Sequence, residues 1–203
     1  METIDFKKQH KHLYAPSAAK VEIVDVPPMN FLMIDGKGDP NTSQAFSDAV
    51  EALYSLAYTL KFMVKKGPLA IDYGVLPLEA LWWADDLTAF TAGRKDEWYW
   101  TVMLMQPECI TAEMVATATA EVAKKKKPVA LPLVRFERFA EGKAAQTLHI
   151  GPFTEEGPTI ERVHAQIAAQ GCQRTGKHHE IYLTDPRRTA PEKWRTIVRQ
   201  PLG

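Results

Sequence analysis

The composition of this chain of 203 residues is typical of a soluble globular protein. Hydrophobic residues make up 45% and charged residues 25%, and the mean hydropathy is −0.26, so the chain can bury a sizeable core. Lysines and arginines together number 25, as do aspartates and glutamates, so the formal net charge is zero. A dedicated nucleic-acid binder carries a basic surplus, and the balanced charge argues against direct nucleic-acid binding.

The cysteines and the missing motifs exclude further classes of protein. Cys109 and Cys172 lie far apart and form no CxxC or Cys/His cluster, so we predict neither a disulfide framework nor a metal site. No glycine-rich phosphate loop, GxSxG elbow or HExxH motif occurs, and we expect no cofactor. No apolar signal core or membrane-spanning run is present, which predicts a cytoplasmic protein that does not enter a membrane. Nothing in the pattern indicates the oligomeric state.

The first half of the chain predicts a polar, extended lead-in over residues 1–19, followed by five elements. Alternating apolar and polar residues indicate strands, and apolar residues at three- and four-residue steps indicate a helix. The helix starts near Asn41-Thr42-Ser43 and stops at Gly67-Pro68. In chain order the elements are a strand over 20–26, its hairpin partner over 31–36 beyond Pro27-Pro28, the helix, and strands over 69–75 and 96–107.

The second half repeats this order after a connecting helix over 111–127. Thr111 is its expected N-cap, and the lysines 124–127 suit the C-terminal end of a helix dipole. The following elements are a hairpin of strands over 132–140 and 144–151, a helix over 159–171, and strands over 178–185 and 192–202. The turn segments MIDGKGDPNT and LHIGPFTEEGPT occupy matching places in the two halves, each with a strand end, a glycine-containing turn and a helix start.

Repetition at about half of the chain length predicts two similar β-β-α-β-β units, over about 20–107 and 111–203, within one domain of residues 20–203. The predicted fold class is α+β with antiparallel sheets. The simplest arrangement relates the units by a pseudo-two-fold axis, with each helix on one sheet face and a ligand cleft between the opposite faces. Glu180 and Tyr182 share one strand face, and they point into the cleft if the Ile181 and Leu183 face meets the helix.

Four of the five tryptophans occur in two pairs. Trp98 and Trp100 lie two apart in a predicted strand, so they share a face and Tyr99 takes the other. Core packing and pocket lining account equally well for this pair, because aromatic side chains dominate burial in many domains. Trp82 and Trp83 are adjacent in a turn-rich stretch, and we expect them on a loop at the rim of a pocket. Flat aromatic walls attract flat apolar or cationic ligands through stacking and cation–π contacts.

A carboxylate among such walls is desolvated, which raises its pKa unless hydrogen bonds or a cation compensate. Glu180 in that setting is a counter-ion for a lipophilic cation or a general base, and Tyr182 holds the carboxylate or donates a hydrogen bond to substrate. A salt-bridged Glu180 on a solvated surface is the alternative that spacing alone favours.

Three kinds of residue are weaker candidates. Tyr73 is a candidate lining residue of the first-half sheet. His149 is a candidate pocket residue, although a strand histidine with satisfied hydrogen bonds is the more common case. His178 and His179 have no carboxylate or cysteine at metal-ligand spacing.

Three segments resemble the signature segments of GyrI-like small-molecule-binding domain proteins: PLEALWW (77–83), DEWYWTVMLMQP (96–107) and GKHHEIYLTDPRRTAPEKWRTIVRQP (176–201). The resemblance covers most of the chain from about residue 20. It implies a duplicated β-β-α-β-β fold, the tandem SHS2 module, in agreement with the internal repeat. Related domains are effector-sensing halves of multidrug-responsive transcription activators and the DNA gyrase inhibitory protein. Stand-alone members are implied to include hydrolases of cyclopropane-bearing DNA alkylators.

The resemblance also implies roles for single residues. Glu180 matches the family's strand glutamate at the bottom of the cleft, and Tyr182 matches the tyrosine two positions on. Trp83 and Trp100 match its aromatic walls. Ala80 stands where related chains commonly have a glycine before Leu-Trp-Trp, a departure that bears on the placement of the first tryptophan pair. No helix-turn-helix pattern precedes residue 20, so we do not expect a transcription activator.

Three functions compete on this reasoning. In the first, Glu180 activates a water that opens the strained ring of a flat, hydrophobic cyclopropane electrophile, and Tyr182 orients the carboxylate or the substrate. In the second, the same pocket binds or senses flat, lipophilic cations without turnover. In the third, the chain antagonises gyrase through an exposed surface, for which the sequence shows no strong apolar or charged patch.

Overall fold

The computed structural model describes residues 2–86 and 88–203. The strands in these residues are β1 (Glu2–Ile4), β2 (Glu22–Val26), β3 (Met29–Lys37), β4 (Ile71–Tyr73), β5 (Leu78–Trp83), β6 (Tyr99–Gln106), β7 (Arg135–Phe139), β8 (Gly142–Ile150), β9 (His178–Tyr182) and β10 (Arg195–Pro201). The helices are α1 (Phe6–Gln9), α2 (Lys11–Tyr14), α3 (Gln44–Lys66), α4 (Thr88–Thr91), α5 (Ala112–Lys125) and α6 (Gly157–Ala169).

The chain divides into two compact units that have the same internal plan. The first contains the described residues up to Phe6, Met29–Leu76 and Trp82–Phe139, with its strands in the order β6-β3-β7 and only the last two residues of β5. The second contains Lys7–Pro28, Pro77–Leu81 and Ala140–Gly203, and its strand order is β9-β10-β8-β2. The pairs β3–β6, β3–β7, β10–β8, β10–β9 and β2–β8 are antiparallel, and the predicted α+β class is confirmed. The domain boundaries, the pseudo-two-fold axis and the cleft between the halves stay predictions.

Both predicted hairpins are wrong, because the first strand of each repeat pairs in the other unit. β2 pairs with β8, and Val26 lies opposite Gly142. β3 pairs with β7, and Met29 lies opposite Phe139. Two-residue hairpin turns need a positive φ at one or both central positions, whereas Pro27 and Pro28 fix φ near −65° and cannot supply it.

The helix ends follow the predicted capping signals. The Ser43 hydroxyl accepts a hydrogen bond from the Phe46 backbone N–H at 3.3 Å, and α3 ends at Gly67. The Thr111 hydroxyl accepts from the Met114 N–H at 3.3 Å and caps α5. α6 covers Gly157–Ala169, so it begins two residues earlier than predicted.

The strand that precedes β6 was assigned to a loop, and that prediction is wrong. β5 contains Trp82 and Trp83, and its four central residues from Glu79 to Trp82 are all buried. A strand covered on both faces shows no alternation of apolar and polar residues, so the period-2 signal was absent. The predicted strand over 69–75 provides only β4, which pairs in parallel with β1 in a separate two-stranded sheet. Tyr73 therefore does not lie in the first-half sheet.

The polar lead-in is folded rather than extended. β1, α1 and α2 lie within it, and the side chains of Leu13 and Tyr14 are buried. Helices of four residues are too short to produce a periodic apolar pattern, so no pattern predicted them.

A line of buried charged groups extends through the second unit. His179 lies between two carboxylates, 2.9 Å from Glu79 through Nε2 and 2.8 Å from Glu141 through Nδ1. Arg199 donates from Nη1 to Glu141 at 3.1 Å, and its remaining donors reach Gln146 Oε1 and the Leu13 carbonyl. The Tyr14 hydroxyl donates to Glu79 at 2.7 Å, so the lead-in closes one end of this ion network.

Within the ion network, contact between His179 and Glu141 favours the charged form of each. Burial lowers the pKa of His179, but the neighbouring Glu141 and Glu79 carboxylates outweigh burial and raise it to about 9. Burial raises the pKa of Glu141, but His179 and Arg199 outweigh burial and lower it to about 2. Two cations therefore face two carboxylates, and removing one member leaves an uncompensated buried charge.

Replacing Glu141 with glutamine should lower the free energy of unfolding by about 3–5 kcal/mol, the usual cost of breaking a buried ion pair from one side. Urea denaturation at about pH 5.5 measures this loss, because the network is fully charged there. The Glu141 contribution is present above its ordinary pKa of 4.5 and is lost as the pH falls toward about 2. The His179 contribution is present below 6.5 and is lost as the pH rises through about 9.

Glu121→Gln is the matched control, because Glu121 pairs with Lys125 at 2.6 Å on the exposed side of α5. An exposed pair of this kind contributes little to stability. Equal losses for the two variants would contradict the assigned role of the ion network.

Candidate functional site

Glu180 lies on the face of the second unit that α6 covers. It stands opposite Val198 in the β9–β10 pair, and opposite residues in an antiparallel pair share a face. Val198 packs with Ile167 of α6 in one buried cluster. The opposite face of β9 carries Ile181, His179 and the ion network. The condition under which Glu180 and Tyr182 were expected to point into a cleft, that the Ile181 face meets the helix, is therefore not met.

The Glu180 carboxylate is held by its two neighbours on the same face of β9. The Tyr182 hydroxyl donates to Oε2 at 2.6 Å, and the His178 Nε2 lies 3.1 Å from Oε1. The Glu180 side chain is 14% exposed, so the carboxylate is largely desolvated. The predicted pairing of Glu180 with Tyr182 is present in the structure.

Glu156 is a second carboxyl group at this place, and the sequence analysis did not identify it. It directly precedes α6, is 4% exposed, and interacts with Glu180. Burial and the negative charge of Glu180 raise the pKa of Glu156 to about 9. Burial acts to raise the pKa of Glu180 as well, but hydrogen bonds from His178, Tyr182 and Glu156 outweigh it and lower that pKa. The pair therefore holds one proton at neutral pH, on Glu156.

Two further aromatic rings of the second unit lie beside Tyr182, the hydrogen-bond partner of Glu180. The Phe153 ring meets Tyr182 edge-on with centroids 5.6 Å apart, and it lies 4.7 Å from the Trp194 ring. The Trp194 indole donates to the Thr189 carbonyl at 2.8 Å, and Phe153 is 39% exposed. Sequence reasoning missed Phe153 and Trp194. Phe153 lies in LHIGPFTEEGPT, one of the two matching turn segments in the sequence. The sequence did not show that this turn lies next to β9, because that depends on the order of the strands in the sheet.

The two weaker candidates occupy structural positions. The ring nitrogens of His149 lie 3.0 Å from the Thr159 hydroxyl and 3.2 Å from the Pro152 carbonyl, so both have partners. Tyr73 is buried against Phe6 with ring centroids 5.8 Å apart, and its hydroxyl has no hydrogen-bond partner among the described residues. Ligand contacts by His149 and Tyr73 stay predictions.

Three of the predicted tryptophans form a cluster on the α3 side of the first unit. Trp82 stacks on Phe46 of α3 with centroids 6.0 Å apart, and Trp100 meets the same ring edge-on at 5.1 Å. Trp98 meets Trp82 edge-on at 5.9 Å. Trp100 is 1% exposed, and its indole nitrogen has no partner in the described part of the chain.

The fourth tryptophan lies on the opposite side of the same strands. Trp83 stacks on Tyr99 with centroids 5.6 Å apart and planes inclined by 14°, and the Lys37 ammonium lies 4.7 Å from the Tyr99 centroid. Trp98 and Trp100 therefore share a face with Tyr99 on the other, as predicted. The structure thus places Trp82 and Trp83 on opposite faces of β5, whereas the sequence did not indicate which face each one takes. Ligand contacts by all four tryptophans stay predictions.

Two features are absent from the residues that the structure describes. These residues contain no group of three or more His, Cys, Asp or Glu side chains placed to hold a metal ion. They also contain no helix with the length and apolarity needed to cross a membrane.

Residues 19–202 match the family model of the GyrI-like small molecule binding domain. The chain belongs to this family. Among solved structures, this GyrI-like chain resembles an uncharacterized conserved protein from Listeria innocua, with 44% identity, a TM-score of 0.88, and coverage of 98% of this chain and 100% of that one. A hydrolase from Listeria innocua is 43% identical with a TM-score of 0.86 and the same coverage.

More distant similarity to the GyrI-like chain concerns the fold alone. The C-terminal domain of EcmrR has a TM-score of 0.55 at 11% identity, over 91% of this chain and 97% of that one. No functionally curated protein matches the sequence.

The packing of Trp100 depends on the absence of a side chain at Gly36. Gly36 stands opposite Trp100 in the β3–β6 pair, and a Cβ added there would overlap the indole ring. Gly36→Ala should lower the free energy of unfolding by about 1–3 kcal/mol, as overpacking does. Thermal denaturation of Gly74→Ala is the control, because a Cβ at Gly74 meets nothing within 4 Å. Partial recovery in Gly36→Ala/Trp100→Leu supports the clash, and no recovery contradicts it.

Proposed function

We propose that this GyrI-like protein binds flat, hydrophobic or cationic small molecules at Glu180 and hydrolyses those that carry a strained cyclopropane ring. The observation that carries the proposal is the ionised, largely buried Glu180 carboxylate, held by Tyr182 and His178 beside the rings of Phe153 and Trp194. Membership of a small-molecule-binding family and 43% identity to a Listeria innocua hydrolase support it.

The reaction requires a base and an oriented water. Glu180 accepts a proton from water while the water oxygen bonds to a cyclopropane carbon. The ring C–C bond breaks, and its electron pair passes into the conjugated carbonyl of the electrophile, which then takes a proton from solvent. One water is added overall, and the release of ring strain drives the reaction. Tyr182 keeps the base in one orientation, which is the positioning contribution that the protein makes.

Binding without turnover is the second candidate, and one observation favours it. The hydrogen bonds from His178, Tyr182 and Glu156 lower the Glu180 pKa, and this weakens the carboxylate as a base while keeping it charged as a counter-ion. Together with aromatic rings, a permanent counter-ion is suited to lipophilic cations.

Replacing Glu180 with glutamine should slow hydrolysis about 10²–10⁴-fold, the usual loss when a general base is removed. The measurement is a time course by liquid chromatography and mass spectrometry with a duocarmycin-like cyclopropane electrophile. It follows the water adduct with wild type, Glu180→Gln, and the exposed-site control Glu161→Gln.

The outcomes separate the two candidate functions. Full turnover by Glu180→Gln would exclude Glu180 as the base. Unchanged compound with every protein, together with quenching of tryptophan fluorescence, would make the chain a binding module.

Single Trp→Phe substitutions at residues 82, 83, 98 and 100 test the ligand contacts predicted for the tryptophans. A contacting ring should weaken binding of the electrophile severalfold when it is replaced, because stacking area is lost. Equilibrium titration measures the dissociation constant, and a variant with unchanged binding removes that tryptophan from the site.

A further inference from the structure

The Glu156 carboxyl has no structural task that accounts for its burial. It stands at the start of α6, yet its side chain makes no capping hydrogen bond to the helix. Glu156 and Thr196 are 4% and 1% exposed, and the buried Glu156 carboxyl interacts with the Thr196 side chain and with Glu180. Two buried carboxyl groups in contact are not both ionised, so Glu156 and Glu180 share a proton that the positive charge of a ligand can replace.

The charges around Glu156 are few, and their positions are known. β9 presents Glu180, His178 and Tyr182 on the same face as the carboxyl pair. β10 contributes the uncharged Thr196. On β8, His149 has both ring nitrogens engaged. The adjoining Glu155 is exposed.

We infer that Glu156 and Glu180 form a proton-exchanging pair: the site takes up an organic cation in exchange for the proton that the two carboxyls share, and takes up a neutral ligand of the same shape with the proton retained. The inference rests on the proposed binding of small molecules at Glu180. It adds a residue, Glu156, and a rule for which ligands the site prefers at a given pH.

Electrostatics gives the size of the effect. The free site holds its proton at neutral pH, because burial and the Glu180 charge raise the Glu156 pKa to about 9. A cation within about 4–6 Å of a carboxyl group lowers its pKa by about 1–3 units. The bound site should therefore lose much of the proton between about pH 7 and 8. Cation affinity should rise with pH in this range, by at most about tenfold per unit, which is the limit for release of one proton.

The test compares 10-methylacridinium with acridine, two flat tricyclic ligands that differ by one methyl group and one positive charge. Isothermal titration calorimetry in buffers of different ionisation enthalpy counts the protons released on binding. With wild type we expect release on binding of 10-methylacridinium, an affinity that rises from about pH 7 to 8, and neither effect with acridine, which is neutral in this range. Glu156→Gln should bind both ligands with no release and no dependence on pH, whereas Glu155→Gln should behave as wild type.

The same titrations can overturn the inference. Binding of 10-methylacridinium by wild type without proton release and with constant affinity removes the exchange but leaves the proposed binding function intact. Absence of binding by both ligands overturns the exchange and the binding of flat cations at Glu180 together. Wild type alone decides these two outcomes, so the test does not depend on whether Glu156→Gln folds.

His178 is the other group whose proton a bound cation could displace, and His178→Gln identifies the source. The inference requires the release to persist in His178→Gln and to disappear in Glu156→Gln. The reverse pattern assigns the proton to His178 and overturns the role given to Glu156.

Discussion

The burial of four charged groups on one face of the second unit decides where the functional groups lie. His179 and Arg199 are almost completely shielded from solvent, and they can remain there only in contact with Glu79 and Glu141. Side chains alternate along a strand, so fixing His179 on this face places Glu180 on the other. A register slip of one residue in β9 would move His179 to the face that α6 covers and Glu180 to the face of the ion network. The slip would leave the charges of Glu79 and Glu141 without His179, which makes it costly.

The site behind Glu180 illustrates how one residue's environment sets the chemistry of its neighbour. Glu180 and Glu156 are both desolvated, and on burial alone both would be neutral. The hydrogen bonds from Tyr182 and His178 favour the charged form of Glu180 only, and its charge then keeps the proton on Glu156. The pair thus provides a proton acceptor, Glu180, next to a proton donor, Glu156, although both residues are glutamates.

The sequence predicted the repeat, the long helices and the Glu180–Tyr182 pair, because each depends on local pattern. Ser43 and Thr111 are N-cap residues that indicate where α3 and α5 begin. Tyr182 follows Glu180 by two residues in one strand, so the two side chains lie next to each other on the same face. The sequence could not predict which face meets α6, since that depends on partners of His179 that lie about 40 and 100 residues away in the chain. Glu156 was missed for the same reason, because only the pairing of distant strands brings it to Glu180.

The exchange of first strands between the units has a consequence for synthesis on the ribosome. The first unit is complete once β7 has emerged, whereas β2, made earlier, has no partner until β8 follows it more than a hundred residues later. An unpaired strand edge is prone to associate with other chains, and the delay is long because the chain emerges at about 5–20 residues per second. β2 therefore begins as an exposed edge of the nascent chain, and the proline pair 27–28 separates it from β3, which belongs to the unit that is completed first.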